Sequence, residues 1–307
     1  MLRPVRSRRF IGGGVLLAAD LAMTATITRA PAAGVAADPF VAGQAGLASR
    51  PITGATSKLL ADRAARAASA LGLPPAARRS VAHVVDRFGG GEYDEVTEFD
   101  DRGRPTALQR FDSQGSIQAA VRFGWQGDGG SRLTGDAAVI GRARDLATAV
   151  GLRVEPAGQI TRRTSQTGWT VFWARTVDGA RVLGDGLRVQ VWPDGSFHSL
   201  SVAEHALASQ PSGPIDRTTA LRIATAYLDR WFAGSERGLI SPTGAELVWT
   251  APNDAFAPDR PDAPASIYRL AWRVGASATG SLAGRIRALE IDLDAGDGAL
   301  LGGDILE

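Results

Sequence analysis

GWTVFWARTVDGARVLGDGLRVQVWPDGSFHSLSV, residues Gly168–Val202, decides how the rest of the chain is read. Before its first turn Trp169, Val171 and Trp173 alternate with Thr170, Phe172 and Ala174. After it Leu187, Val189 and Val191 alternate with Arg188, Gln190 and Trp192. A period of two puts successive side chains on opposite faces of a strand. Asp178-Gly179 and Asp194-Gly195 are turn pairs, because glycine reaches positive φ without a steric penalty. Gly184-Asp185-Gly186 stands directly before the second alternating run and reads as a further turn or bulge. The glycines also raise a second reading, a loop that cradles phosphate. Such a loop needs a helix N-terminus behind it, so that free N–H groups face the anion. Only strand pattern follows here. The stretch therefore reads as hairpins, with Gly179, Gly184, Gly186 and Gly195 as structural turn residues.

Working outward, helical and period-two patterns take turns. Ser57 is placed to cap a helix through KLLADRAARAASAL, with Leu60, Ala64, Ala67 and Leu71 at helical spacing and Gly72 at its end. Pro74-Pro75 opens a second expected helix, striped by Val81, Val84, Val85 and Phe88 and stopped by Gly89-Gly90-Gly91. YDEVTEF, PTALQRF and IQAAVRFGW follow as short strands separated by Asp- and Gly-bearing turns. Asp136 then caps AAVIGRARDLATAV, and strands run from about Gln159 to Ala203. After the linker ASQPSGP (208–214), Asp216 caps RTTALRIATAYLDRWF. AELVWT, IYRLAWRV, IRALEIDLD and ALLGGDIL are the last strands, with a Pro/Asp-rich loop at 251–265. The expected fold class is α+β, in tandem modules of a helix packed on an antiparallel β-meander. The expected divisions are 1–37, 38–135, 136–208 and 209–307.

Composition narrows the function classes. The 307 residues are 44% hydrophobic, enough to build a core. Cysteine is absent, which excludes a disulfide framework and a Cys-ligated zinc site. The net charge of +2 is local: residues 1–37 hold five arginines and one aspartate, and the rest carries 29 basic against 31 acidic residues. No basic face for nucleic acid is evident. Residues 1–37 run from a basic start (MLRPVRSRRF) through an apolar stretch to a small, Ala-rich region, the order of an export signal. Ser7-Arg8-Arg9 is compatible with a twin-arginine signal, although Ile11-Gly12 matches it poorly. Asp20 interrupts the apolar run, at about 2.5–3.5 kcal/mol near the centre of an inserted helix. Cleavage after Ala37 and retention as an anchor are the two outcomes, and either places the protein outside the cytoplasm, secreted or at the cell envelope.

VDGARVLGDGLRVQVWPDGSFHSLSV resembles a segment of the propeptide-type domains of secreted metallopeptidases, a group that includes the PepSY domain. IDRTTALRIATAYL is similar to the helix that opens a PepSY domain, and YRLAWRV and ALEIDLDAGDGALLGGDI are similar to its later strands. Asp294-Ala295 and Gly298 match the family's turn with one extra residue. The resemblance covers roughly 136–307, with Tyr93–Trp125 as a divergent first copy. It implies a cystatin-like layout and a role in inhibition, chaperoning or ligand binding outside the cell. No protease signature accompanies it.

HExxH and GxSxG are absent. His83 falls in the second expected helix, as a structural or surface residue. His198 and His205 lie seven apart and lack a third ligand at suitable spacing. Asp292, Asp294 and Asp297 with Gly298 approach a calcium loop, but the glycine is one place late and no closing Glu follows, so a hairpin turn is the plainer reading. Glu98, Asp100 and Asp101 fall at a solvated turn. Of the seven tryptophans, Trp169, Trp173 and Trp192 are expected to fill the core with Trp249 and Trp272, and the alternative is that Trp169, Trp173 and Trp192 form a binding surface for peptide or glycan. No catalytic residue, metal or cofactor is expected. The chain is expected to be non-enzymatic and to bind or restrain an exported peptidase or peptide. A cell-envelope scaffold or small-ligand binder is the alternative, and a hydrolase with a dispersed site the weakest.

Overall fold

The computed structural model describes residues 47–86, 91–124, 129–154, 158–164, 168–256, 258–259 and 266–306. The export signal expected over 1–37 lies outside them. Among the described residues the chain forms three α-helices, α1 (Gly54–Ala70), α2 (Asp136–Ala149) and α3 (Arg217–Trp231). It forms fourteen strands: β1 (Leu47–Pro51), β2 (Arg78–Asp86), β3 (Gly91–Phe99), β4 (Pro105–Phe111), β5 (Ile117–Arg122), β6 (Gln159–Thr164), β7 (Gly168–Val177), β8 (Ala180–Val191), β9 (Phe197–Ala203), β10 (Ala206–Leu207), β11 (Ile240–Thr250), β12 (Ile267–Ala278), β13 (Ala288–Asp294) and β14 (Leu300–Leu306).

This corrects the expected fold class. The protein is mostly β, with its strands in a fourteen-stranded mixed sheet rather than in tandem, cystatin/PepSY-like modules of a helix on a meander. Three pairings carry the correction. β9 pairs β5 across the expected boundary at 136, in the register Ala119↔Ser201 to Val121↔Ser199. β8 pairs β11 in parallel through Arg181↔Val248 and Val182↔Trp249. β10 pairs β12 in parallel through Ala206↔Ile267. Period-two patterning fixes which face a residue takes but not which strand lies alongside. That is decided by packing between residues far apart in sequence.

The second expected helix is also corrected. Residues 78–86 form β2, bonded to β1 on one side and β3 on the other, with Val81 opposite Val96. Valines at 81, 84 and 85 fit a helical period and break the alternation of a strand, so Val81 and Val84 are buried on opposite faces of β2; β-branched side chains favour the strand once partners lie on both sides. The expected caps at Ser57 and Asp136 fall instead inside the first turns of α1 and α2, whose N-caps are Thr53 and Gly135. Asp216 does cap α3, and its carboxylate accepts the Thr219 N–H at 2.6 Å.

By internal contacts the chain divides into two units. Of the described residues, one unit takes those within 47–173 and 186–203, and the other those within 174–185 and 204–306. In the first, Leu60, Ala64 and Ala68 of α1 and Val139, Ala143 and Leu146 of α2 share a core with Val96, Phe111, Val171, Trp173 and Val189. In the second, α3 buries Ala220, Ala224, Tyr227 and Leu228 against Val274, Ile291 and Leu293 of β12 and β13. A smaller cluster of that unit gathers Ala180, Val182, Trp249, Leu270 and Ala295. The hairpin of the opening stretch is shared. Its tip, with Asp178 at φ 52° and Gly179 at φ 81°, belongs to the second unit.

Candidate functional site

The second unit concentrates its unusual chemistry at the middle of β8. Gly184 (φ 80°) and Gly186 (φ 134°) are not a turn before a strand but lie inside β8, on either side of Asp185. Asp185 is fully buried. A buried carboxylate needs partners, and Asp185 has three. The His205 ring bonds it through Nδ1. The His205 backbone N–H donates to Oδ2 at 2.7 Å, and Arg175 of β7 donates to the same oxygen at 3.1 Å. Arg175 also donates to the His205 carbonyl at 2.9 Å and pairs with Glu204 at 3.1 Å. Burial by itself raises the Asp185 pKa, but the bonds and charge of His205 and the bond from Arg175 outweigh it and hold the carboxyl below its usual range. The His205 ring stacks on Tyr268 of β12, with centroids 4.4 Å apart and planes 11° from parallel. Burial, and then the Asp185 charge, push the Tyr268 hydroxyl pKa up.

His205 is the second residue of an extended strap, residues 204–215. β10 gives it a two-residue parallel bridge to β12, and the Ala208 N–H donates to the Tyr268 carbonyl at 2.8 Å. Its far end is held where the Ile215 N–H reaches the Ala295 carbonyl at 2.7 Å and the Trp272 indole donates to the Ile215 carbonyl at 2.9 Å. Between these anchors Gln210 bonds Asp178 at 2.8 Å. Ser209 and Gln210 are exposed, and their backbone groups bond no described residue.

A cleft of about 240 Å³ opens against this strap, lined by Ala208, Ser209, Pro211, Arg269, Asp294 and Asp297, among others. Arg269 crosses from β12 to Asp294 at 2.7 Å, and Asp294 also takes the Gly296 N–H at 2.8 Å. Gly296 sits where a Cβ would come within 3.1 Å of Pro211, so the floor of the cleft is close-packed. Next along the sheet, Arg273 grips Asp292 through two bonds of 2.8 Å and Glu290 at 2.6 Å.

The residues singled out in the sequence are dispersed. Trp173 and Trp192 are buried, and Trp169 is half-buried against the first unit's core. The three therefore do not present an exposed aromatic stripe. Trp249 is buried as well. Gly195 and Gly298 serve the β8–β9 and β13–β14 turns. Asp294 and Asp297 belong to the latter turn, with the Gly298 N–H on the Asp294 carbonyl at 2.8 Å. His83 lies on β2 and bonds Asp94 at 3.0 Å. His198 packs against Trp192 in the first unit, with ring centroids 4.6 Å apart and planes tilted by 37°, whereas His205 joins Asp185 in the second. Glu98 is buried on β3 and accepts from Arg79 at 2.8 Å, and Asp100 accepts backbone N–H groups of Arg102 and Arg104 in a turn. Sequence reasoning missed Asp185, Arg175, Tyr268 and Arg269. The one available signal was an acidic residue between two glycines in a run of apolar strand residues. Among the described residues no group of three or more His, Asp or Glu is placed to hold a metal. No protein-family model and no curated protein matches the chain.

Proposed function

We propose that the protein is a non-catalytic, extracytoplasmic binder of extended peptide, such as a segment of an exported peptidase, and that the strap and its cleft receive it. The observation that carries this reading is the exposed backbone of Ser209 and Gln210, bonded to no described residue, along the wall of a charged cleft. An extended peptide pairs with such a backbone through main-chain hydrogen bonds and takes its specificity from side-chain pockets. The size fits a side chain better than a whole small ligand, since ligand pockets typically span about 300–1,000 Å³.

The β14 edge is a poorer dock. Asn253 occupies it, donating to the Leu301 carbonyl at 2.9 Å and accepting the Gly303 N–H at 3.0 Å. Asp304 takes the Ile305 N–H at 2.8 Å. Such capping blunts an edge against strand addition. This reading leaves His205 without a hydrolytic role. Its ring is oriented by Asp185 as a general base would be, but no described hydroxyl hydrogen-bonds it.

The test is calorimetric titration of the purified chain with a panel of unstructured peptides, alongside Ser209→Pro, which deletes one strap N–H. Binding without cleavage, weakened about tenfold by the substitution, is expected from the loss of one main-chain hydrogen bond. Cleavage of the peptides, or equal binding by Ser209→Pro, would overturn the reading.

A further inference from the structure

We propose that the Arg175–Asp185–His205 cluster is the latch of the strap: it sets the position of residues 204–211, and with it whether the cleft has a wall. This rests on the peptide reading above for its consequence, but not for its geometry. The strap is held at its N-terminal end by a bridge of only two residues and the single Ala208–Tyr268 bond. Two parallel bridge residues are a weak tether, because a short ladder opens locally at little cost in free energy. The cluster supplies what the ladder lacks. Asp185 takes both the backbone N–H and the ring of His205, and Arg175 takes the His205 carbonyl. The main chain at His205 is thus bonded on both its polar groups by side chains from β7 and β8.

The groups facing the latch are Asp185 from β8, Arg175 from β7, Glu204 and His205 from the strap and Tyr268 from β12. The ring of His205 is fixed on both sides, by the carboxylate at Nδ1 and by the stacked phenol. Three residues beyond His205 the same strand lines the cleft. Release of His205 therefore removes the support of Ala208 and Ser209 without touching the α3 core, which rests on other residues.

Native-state hydrogen exchange on the full chain reads the latch directly. In Asp185→Asn and His205→Ala, the Ala208 amide is expected to lose about tenfold or more of its protection, while Val274 and Leu293 keep theirs. His205→Asn is expected to hold protection near the wild-type level, because the Asn amide presents a donor close to the position of Nδ1. Should Asp185→Asn fail to fold, Arg175→Gln keeps the Asp185–His205 pair and gives a smaller loss at Ala208. Unchanged protection at Ala208, or equal loss at Ala208 and Leu293, overturns the latch. The affinity of the best peptide must fall in the variants whose strap opens. An open strap with undiminished affinity refutes the coupling to the cleft. A wild-type chain that binds no peptide removes the peptide reading alone, and exchange at Ala208 still decides the latch.

Discussion

Asp292 and Arg273 offer the sharpest test of how the second unit is held together. The Asp292 side chain is fully buried, that of Arg273 is 18% exposed, and two bonds of 2.8 Å join them across β12 and β13. Burial alone lowers the Arg273 pKa. The bonds and charge of Asp292, with the charges of Glu290 and Glu246, outweigh it and raise the pKa instead. Asp292→Val therefore strands a largely buried cation. Removing one partner of a buried pair costs about 3–5 kcal/mol. Arg273 keeps its 2.6 Å contact to Glu290, which is one-third exposed, so the lower end, about 3 kcal/mol, applies. Arg273→Met leaves Asp292 buried and is expected to cost as much. The double variant leaves neither charge behind, and apolar replacement of a buried pair is commonly neutral. It is expected within about 1 kcal/mol of wild type, a coupling of several kcal/mol. Urea unfolding of the four proteins closes the cycle. A near-neutral Asp292→Val, or additive effects of the two substitutions, would show that the pair is solvated and would refute the reasoning.

Burial holds the His198 pKa below its ordinary 6.5, so the folded state keeps the ring neutral while the unfolded chain protonates. Stability is expected to fall as pH drops through 6.5, and His198→Leu should remove that slope in urea melts between pH 7.5 and 5. Glu98 has the opposite sign. Burial raises its pKa above 4.5 despite the bond and charge of Arg79, so its share of stability grows as pH falls toward 4.5. Glu98→Gln is expected to stabilise the protein at pH 7 and to abolish that gain, measured by thermal unfolding across pH. Trp173→Ala opens a hole in the first unit's core and is expected to cost about 3–5 kcal/mol. Trp169→Ala, at a half-buried position, should cost clearly less, and equal losses would contradict the burial seen here.

The sequence made the local elements legible and left their neighbours hidden. Strands β7–β9 were visible in the alternation of Trp169, Val171 and Trp173, and in two Asp-Gly turns, because the period of a strand and the φ of a turn are properties of a few residues. Helix α3 was visible for the same reason, in the Asp216 cap and the Ala220–Ala224–Tyr227 stripe. Strand β2 was not, since its valines are at helical spacing and only the partners on either side decide for a strand. The pairings β5–β9 and β8–β11 join residues more than sixty apart. Nothing local specifies them, which is why a modular reading was natural and wrong. The site was hidden by the same cause. Asp185 read as the middle of a glycine turn, and His205 as a lone histidine seven residues from His198 with no third ligand at suitable spacing. Only the pairing of β8 and the return of the strap set Arg175, Asp185, His205 and Tyr268 together.

Peptide binding at the strap and cleft is open to direct measurement. The most direct measurement is an amide-resolved NMR titration of the ¹⁵N-labelled chain with the tightest peptide of the panel. The predicted result is saturable shift changes confined to residues 205–211, 268–270 and 294–298, with the peptide recovered intact. Shift changes centred on β14 or on the first unit, or a peptide recovered in fragments, would contradict it.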